Sequence, residues 1–91
     1  SRKVYTRYAI VFVSENKNCM QRFGFVASKK TGNAVQRNRI KRLFREFVKN
    51  NKEKFKEGTD YIFVGKAVLK EKLASLKYED IEKDMLKVIK K

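Results

Sequence analysis

Between Lys29 and Lys49 the chain carries Lys29, Lys30, Arg37, Arg39, Lys41, Arg42, Arg45 and Lys49, with Glu46 as the single anion. The chemistry open to such a set is the binding of phosphate. Arginine predominates in it, and the planar guanidinium fork matches phosphate oxygens. A helix face that is only solvated usually intersperses its signs, so that neighbours at i, i+4 support one another. Here Lys41 and Arg45 repel, as do Arg45 and Lys49, each pair costing a few tenths of a kcal/mol unless an anion lies along the face. The plain reading is a solubilising surface helix. The functional reading is a helix laid against a nucleic-acid backbone.

Other chemistries lack their residues. There is no histidine and one cysteine, Cys19. A Cys/His zinc site is therefore excluded, and the commonest protein general base is missing. Carboxylates are few, and Glu46, Asp60, Glu79 and Asp80 have no spacing typical of a nuclease metal site. A lone cysteine makes no internal disulfide, which fits a reducing cytoplasm; Cys19 is expected exposed and unpaired in a turn. No apolar run is long enough for a transmembrane helix, and no signal peptide is visible. The formal charge of +14 on 91 residues calls for a polyanionic partner. Nucleic acid comes first and an anionic membrane surface second.

The elements that must position the cations are legible by period. Gly32 permits a turn and Asn33 is a good N-cap. Ile40, Leu43, Phe44, Phe47 and Val48 then recur at i, i+3, i+4, i+7 and i+8, one apolar stripe of a helix. Asn38, Lys41, Arg42, Arg45 and Lys49 fall on the opposite face. The helix is expected to run to about Lys52 or Phe55. Before it, Val4 to Val13 reads as strand with a break near Thr6–Arg7, and Arg22 to Ser28 as a second strand. Gly24 in mid-strand suggests a close backbone approach or a bulge. After it, Glu57 to Asp60 reads as a turn and Tyr61 to Val64 as a strand, parallel to Arg22–Ser28 by the strand–helix–strand order. Residues 67–76 read as loop or a short helical turn. A last helix, about Tyr78 to Ile89, has Tyr78, Ile81, Met85 and Val88 as its stripe. The fold class is α+β: a split β-α-β sandwich with a roughly four-stranded mixed sheet, the basic helix and the C-terminal helix packed on it. Residues 1–91 form one domain.

Ala34-x-x-Arg37-Asn38-x-x-Lys41-Arg42-x-x-Arg45, preceded by Ser28-Lys29-Lys30-x-Gly32-Asn33, resembles the signature of the protein subunit of bacterial ribonuclease P. The resemblance runs from the first strands to the final helix. Members usually open with a basic segment and a helix ahead of the first strand, so this chain resembles a member shortened at its N-terminus. The resemblance implies a protein that performs no chemistry itself and binds no cofactor. An RNA subunit with its Mg²⁺ ions hydrolyses precursor tRNA at the 5′ end, and the protein binds that RNA and the single-stranded 5′ leader. It implies a cytoplasmic ribonucleoprotein with one protein per RNA, whose partners are ribonuclease P RNA and precursor tRNA, and no membrane.

Two surfaces follow from the resemblance. Arg37, Asn38, Arg39, Lys41, Arg42 and Arg45, with Lys29 and Lys30, would contact the catalytic RNA; Asn38 could instead brace the first helical turn. Phe12, Ser28, Lys29, Asn33 and Lys66 would line a leader cleft between the sheet and the basic helix, with Tyr5 and Tyr8 as weaker candidates. Core packing is the plain alternative for Phe12. Loss of the N-terminal helix predicts an exposed apolar sheet face. Against this stand a ribosomal-type structural RNA-binding protein, a DNA-binding module and a protein-only nuclease. The first explains the charge but not the match around Arg37-Asn38. The second lacks a helix-turn-helix or zipper, and the third lacks an acidic cluster.

Overall fold

The computed structural model describes residues 2–16 and 21–89. The elements are β1 (Arg2–Tyr5), β2 (Ala9–Glu15), β3 (Arg22–Val26), a 3₁₀ turn (Lys29–Thr31), α1 (Ala34–Asn50), a second 3₁₀ turn (Lys52–Lys54), β4 (Thr59–Gly65), α2 (Val68–Lys72) and α3 (Tyr78–Ile89). Cys19, expected in a turn, lies outside the described residues, and Ser14 and Glu15 ahead of it belong to β2. The strands form one mixed sheet in the order β1-β2-β4-β3. β2 runs antiparallel to β1 and β4, and β3 is parallel to β4 as the strand–helix–strand order predicts.

The sheet buries one face. Ala9, Val11 and Val13 of β2 and Tyr61 and Phe63 of β4 alternate inward, and the α1 stripe lies over them with Ile40, Phe44 and Phe47 fully buried. Each such side chain contributes about 1.5–3 kcal/mol on burial. Phe63 is tilted against Phe44 at 5.8 Å between ring centroids. Ile81, Met85 and Val88 of α3 complete this core, and α3 packs against α1. The alternate positions of the strands point the other way. Phe12, Val26 and Ile62 are 37%, 45% and 42% exposed there, so the open apolar face expected from the sequence is present.

The expected break near Thr6–Arg7 is present, as a hairpin turn between β1 and β2. Thr6 is buried there, its Oγ1 donating to the Ala9 carbonyl and accepting from the Ala9 N–H, both at 3.0 Å. Other boundaries differ from the sequence reading. α1 stops at Asn50 rather than near Lys52 or Phe55. The buried Asn51 caps it, its Nδ2 donating to the Phe47 carbonyl at 2.9 Å. Thr59 and Asp60 belong to β4 rather than to the preceding turn. Gly24 marks neither a bulge nor a tight approach: its pairing with Ile62 is in register, and an added Cβ would meet that side chain at an ordinary 3.6 Å. Residues 68–72 are helical, so the short-helix alternative holds for the ambiguous stretch.

Candidate nucleic-acid interface

The start of α1 is built by local hydrogen bonds. Gly32 has φ 131°, in the region that favours glycine. Asn33 Oδ1 accepts from the Gln36 N–H and Gln36 Oε1 accepts from the Asn33 N–H, each at 2.9 Å, a complete capping box. Upstream, the Ser28 carbonyl accepts from the Thr31 N–H at 2.9 Å and its hydroxyl at 2.6 Å. The loop between β3 and α1 is thereby tied at both ends, and it presents Ser28, Lys29 and Lys30 to solvent.

The cations of α1, with Asn38 among them on the helix surface, fall into three environments. Asn38 and Arg42 are exposed, Lys41 is half-buried, and none makes a hydrogen bond or ion pair among the described residues. Asn38 therefore does not brace the first turn, a role held by Asn33 and Gln36. Arg39 and Arg45 have intramolecular contacts. One Arg39 Nη donates to the Leu76 carbonyl at 3.3 Å, and the Arg45 guanidinium lies over the Phe25 ring at 5.7 Å. Arg37 is half-buried, with an enclosed Nε that has no partner. Glu46 neutralises none of these guanidinium groups: the only ion pair among the described residues is Arg22–Asp60, at 2.8 Å. That guanidinium, helped by Asn16, holds the Asp60 carboxyl below the usual carboxylate range.

The expected cleft requires a correction. Phe12 does not lie between the sheet and α1. It alternates with the buried Val11 and Val13, so it projects from the opposite face, beside Lys3, whose Nζ is 5.4 Å from the ring centroid. The physical cause is the strict period of two along a strand. Core packing is excluded for Phe12 by its exposure, while Tyr8, one of the weaker candidates, is buried at 8%. Tyr5 faces the open side at 61% exposure. Lys66 follows β4 and its Nζ donates to the Thr6 carbonyl at 2.6 Å, 5.9 Å from the Tyr5 ring centroid. Because β3 and β4 are parallel, Ser28–Asn33 and Lys66 leave the sheet at the same end, where α1 begins. Phe12 pairs with Ile62, four residues before Lys66, about 13 Å away along the strand.

Sequence reading passed over three groups on or under this surface. Val26 and Ile62 join Phe12 on the open face, which only strand pairing reveals. Asp84 is buried in the apolar stripe of α3 and accepts from the Arg7 and Tyr8 N–H groups at 2.8 and 2.9 Å. An acidic residue one position before Met85 on that stripe was the available signal. Among the described residues no cluster of His, Cys, Asp and Glu could hold a metal ion, and no helix is long and apolar enough to cross a membrane.

Comparison with known proteins identifies relatives over the whole chain. The family model described as Ribonuclease P matches residues 1–91. The ribonuclease P protein component of Fusobacterium nucleatum is 48% identical over 88 residues, spanning 97% of this chain and 79% of that protein. That of Syntrophus aciditrophicus is 39% identical over 84 residues, spanning 92% and 67%. The solved RNase P protein from Thermotoga maritima superposes with a TM-score of 0.89 at 25% identity, covering 97% of this chain and 80% of that one. The Staphylococcus aureus RNase P protein gives 0.81 at 32% identity, covering 98% and 81%.

Proposed function

The chain belongs to the ribonuclease P protein component family, and on that premise we propose that it binds the catalytic RNA and the 5′ leader of precursor tRNA and assists RNA-catalysed removal of that leader. Membership implies partnership with ribonuclease P RNA. The observation that carries the RNA contact is the unneutralised row on α1: Lys41 and Arg42 have no anionic partner among the described residues, and Arg45 faces an aromatic ring rather than a carboxylate. Phosphates along that row would relieve the i, i+4 repulsion and release counterions. Lys29, Lys30, Arg37, Asn38 and Arg39 extend it at the N-terminal end of the helix.

The leader is assigned to the open sheet face. Phe12 offers a ring for base stacking, and Ser28, Lys29, Asn33 and Lys66 supply polar and cationic groups at one end of the sheet. Asn33 and Lys66 are partly committed, to the helix cap and to Thr6, so each has only part of its hydrogen-bonding capacity free for RNA. The bond-breaking step belongs to the RNA and its Mg²⁺; the protein positions and neutralises. The reading places one protein on each RNA, in the cytoplasm.

The test is reconstitution with a bacterial ribonuclease P RNA and a precursor tRNA carrying a 5′ leader, at Mg²⁺ too low for the RNA alone. Restored cleavage supports the function. RNA binding without rescue points to a structural RNA-binding role, and absence of both overturns the proposal.

A further inference from the structure

A second aromatic and basic groove lies on the helix side of the sheet, away from Phe12. It holds about 250 Å³ and is lined by Phe23, Phe25, Arg45, Val48, Lys49 and Lys52. Its floor comes from β3. Phe23 stacks on Tyr61 at 5.6 Å and 13°, and Phe25 on Phe63 at 5.6 Å and 23°, each pair being register partners across the parallel strands. β3 is the edge strand, so no further strand covers these rings; beyond the sheet Phe23 meets Phe55 edge to face at 5.2 Å, and the Arg45 guanidinium overlies Phe25 at 5.7 Å. Both phenylalanines are only half-buried. The rim is cationic: Arg45 and Lys49 stand one helical turn apart, about 6 Å, and Lys52 continues the row in the 3₁₀ turn. No acidic residue lines the groove.

Resting on the RNA-binding function proposed above, we infer that this groove takes unpaired nucleotides of the RNA partner, bases against Phe23 and Phe25 and phosphates against Arg45, Lys49 and Lys52. Ring faces paired with a cation row are the elements single-stranded nucleic acid requires. An anionic lipid surface would meet the cationic rim but not rings that are half-buried at the floor of the groove. A base can also stack on the Arg45 guanidinium where it overlies Phe25. Lys49 and Lys52 lie outside the α1 residues assigned to the catalytic RNA, so the groove can be tested separately.

The first measurement is an NMR titration of the full chain with an unstructured RNA of about ten nucleotides, within the usual range of single-strand sites. Ring signals of Phe23 and Phe25 should shift upfield. Shifts confined to Phe12 and Ile62 would overturn the groove and leave the leader face standing. Equal ring shifts with an RNA duplex or with polyglutamate would also overturn it, since charge would then suffice. The second measurement compares affinities for the same oligonucleotide. Phe23→Leu with Phe25→Leu should weaken binding about 5- to 100-fold with an unchanged salt slope. Lys49→Gln with Lys52→Gln should lower the slope by about 1.4. Unchanged affinity and slope in folded variants would overturn the groove, while rescue of cleavage by the unmodified chain tests the proposed function independently.

Discussion

The Asp84 carboxylate accepts the Tyr8 N–H at 2.9 Å, joining the last helix to the first hairpin turn across 76 residues. Its other oxygen takes the Arg7 N–H at 2.8 Å. Two backbone donors of a turn that has no ladder partners are satisfied by one buried carboxylate.

Asp84→Ala removes both charge-assisted bonds and orphans both donors, a loss of about 2–4 kcal/mol. The expected result is a fall in Tm of about 8–32 °C in thermal unfolding, at 4–8 °C per kcal/mol for a domain of this size. A fall of a degree or two would show that water replaces Asp84 without loss.

Gly32→Ala places a Cβ against the Gln36 side-chain amide at a backbone angle that only glycine adopts easily. Strain and loss of the capping box together should cost about 1–3 kcal/mol. The start of α1 should fray, which amide hydrogen exchange at residues 34–37 would reveal as faster exchange than at Phe44 or Phe47.

Arg42→Ala and Arg45→Ala separate charge from packing. Arg42 is exposed and free of partners among the described residues, so its loss should leave stability within about 0.5 kcal/mol. Arg45 overlies Phe25 and should cost about 0.5–1 kcal/mol more. Both should weaken RNA binding and reduce the salt slope by about 1. With roughly 6–10 phosphates contacted, the parent chain should lose about 10³–10⁵ in affinity between about 50 and 200 mM salt. A flat response would contradict phosphate binding.

Phe12→Ala changes an exposed ring and should leave the cooperative melt in place. Affinity for precursor tRNA with a leader should fall about 5-fold or more, while affinity for mature tRNA stays the same. Equal losses for both would remove Phe12 from the leader face.

Asp60 sits below the usual carboxylate range because Arg22 and Asn16 stabilise its charged form. A depressed folded pKa contributes stability above the unfolded value of about 4, and the contribution disappears as pH falls through the folded value. Thermal melts of the parent chain and Asp60→Asn should therefore differ at pH 6 and converge in strong acid, once the folded-state carboxylate is protonated. A gap that persists there would assign the effect to shape rather than charge.

Periodicity and local chemistry sufficed for much of this protein. The α1 stripe from Ile40 to Val48, the Asn33 cap and the span of α3 all depend on residues within a few positions of one another, and the parallel relation of β3 and β4 follows from the order of elements along the chain. The cation row was legible for the same reason, since side chains three and four apart share a helix face whatever surrounds them. The family signature lies in that same local stretch. Pairing and layer order are different in kind. That the break near Thr6 is a hairpin turn, that Phe12 faces away from α1, and that β3 forms the sheet edge all depend on which strand lies beside which. Asp84 depends on a partner across 76 residues, and the commitments of Arg39 and Lys66 depend on distant carbonyls. A linear pattern records which face a side chain shares, but only the folded chain decides what stands opposite that face, because burial and hydrogen bonding are set by neighbours that the sequence holds far apart.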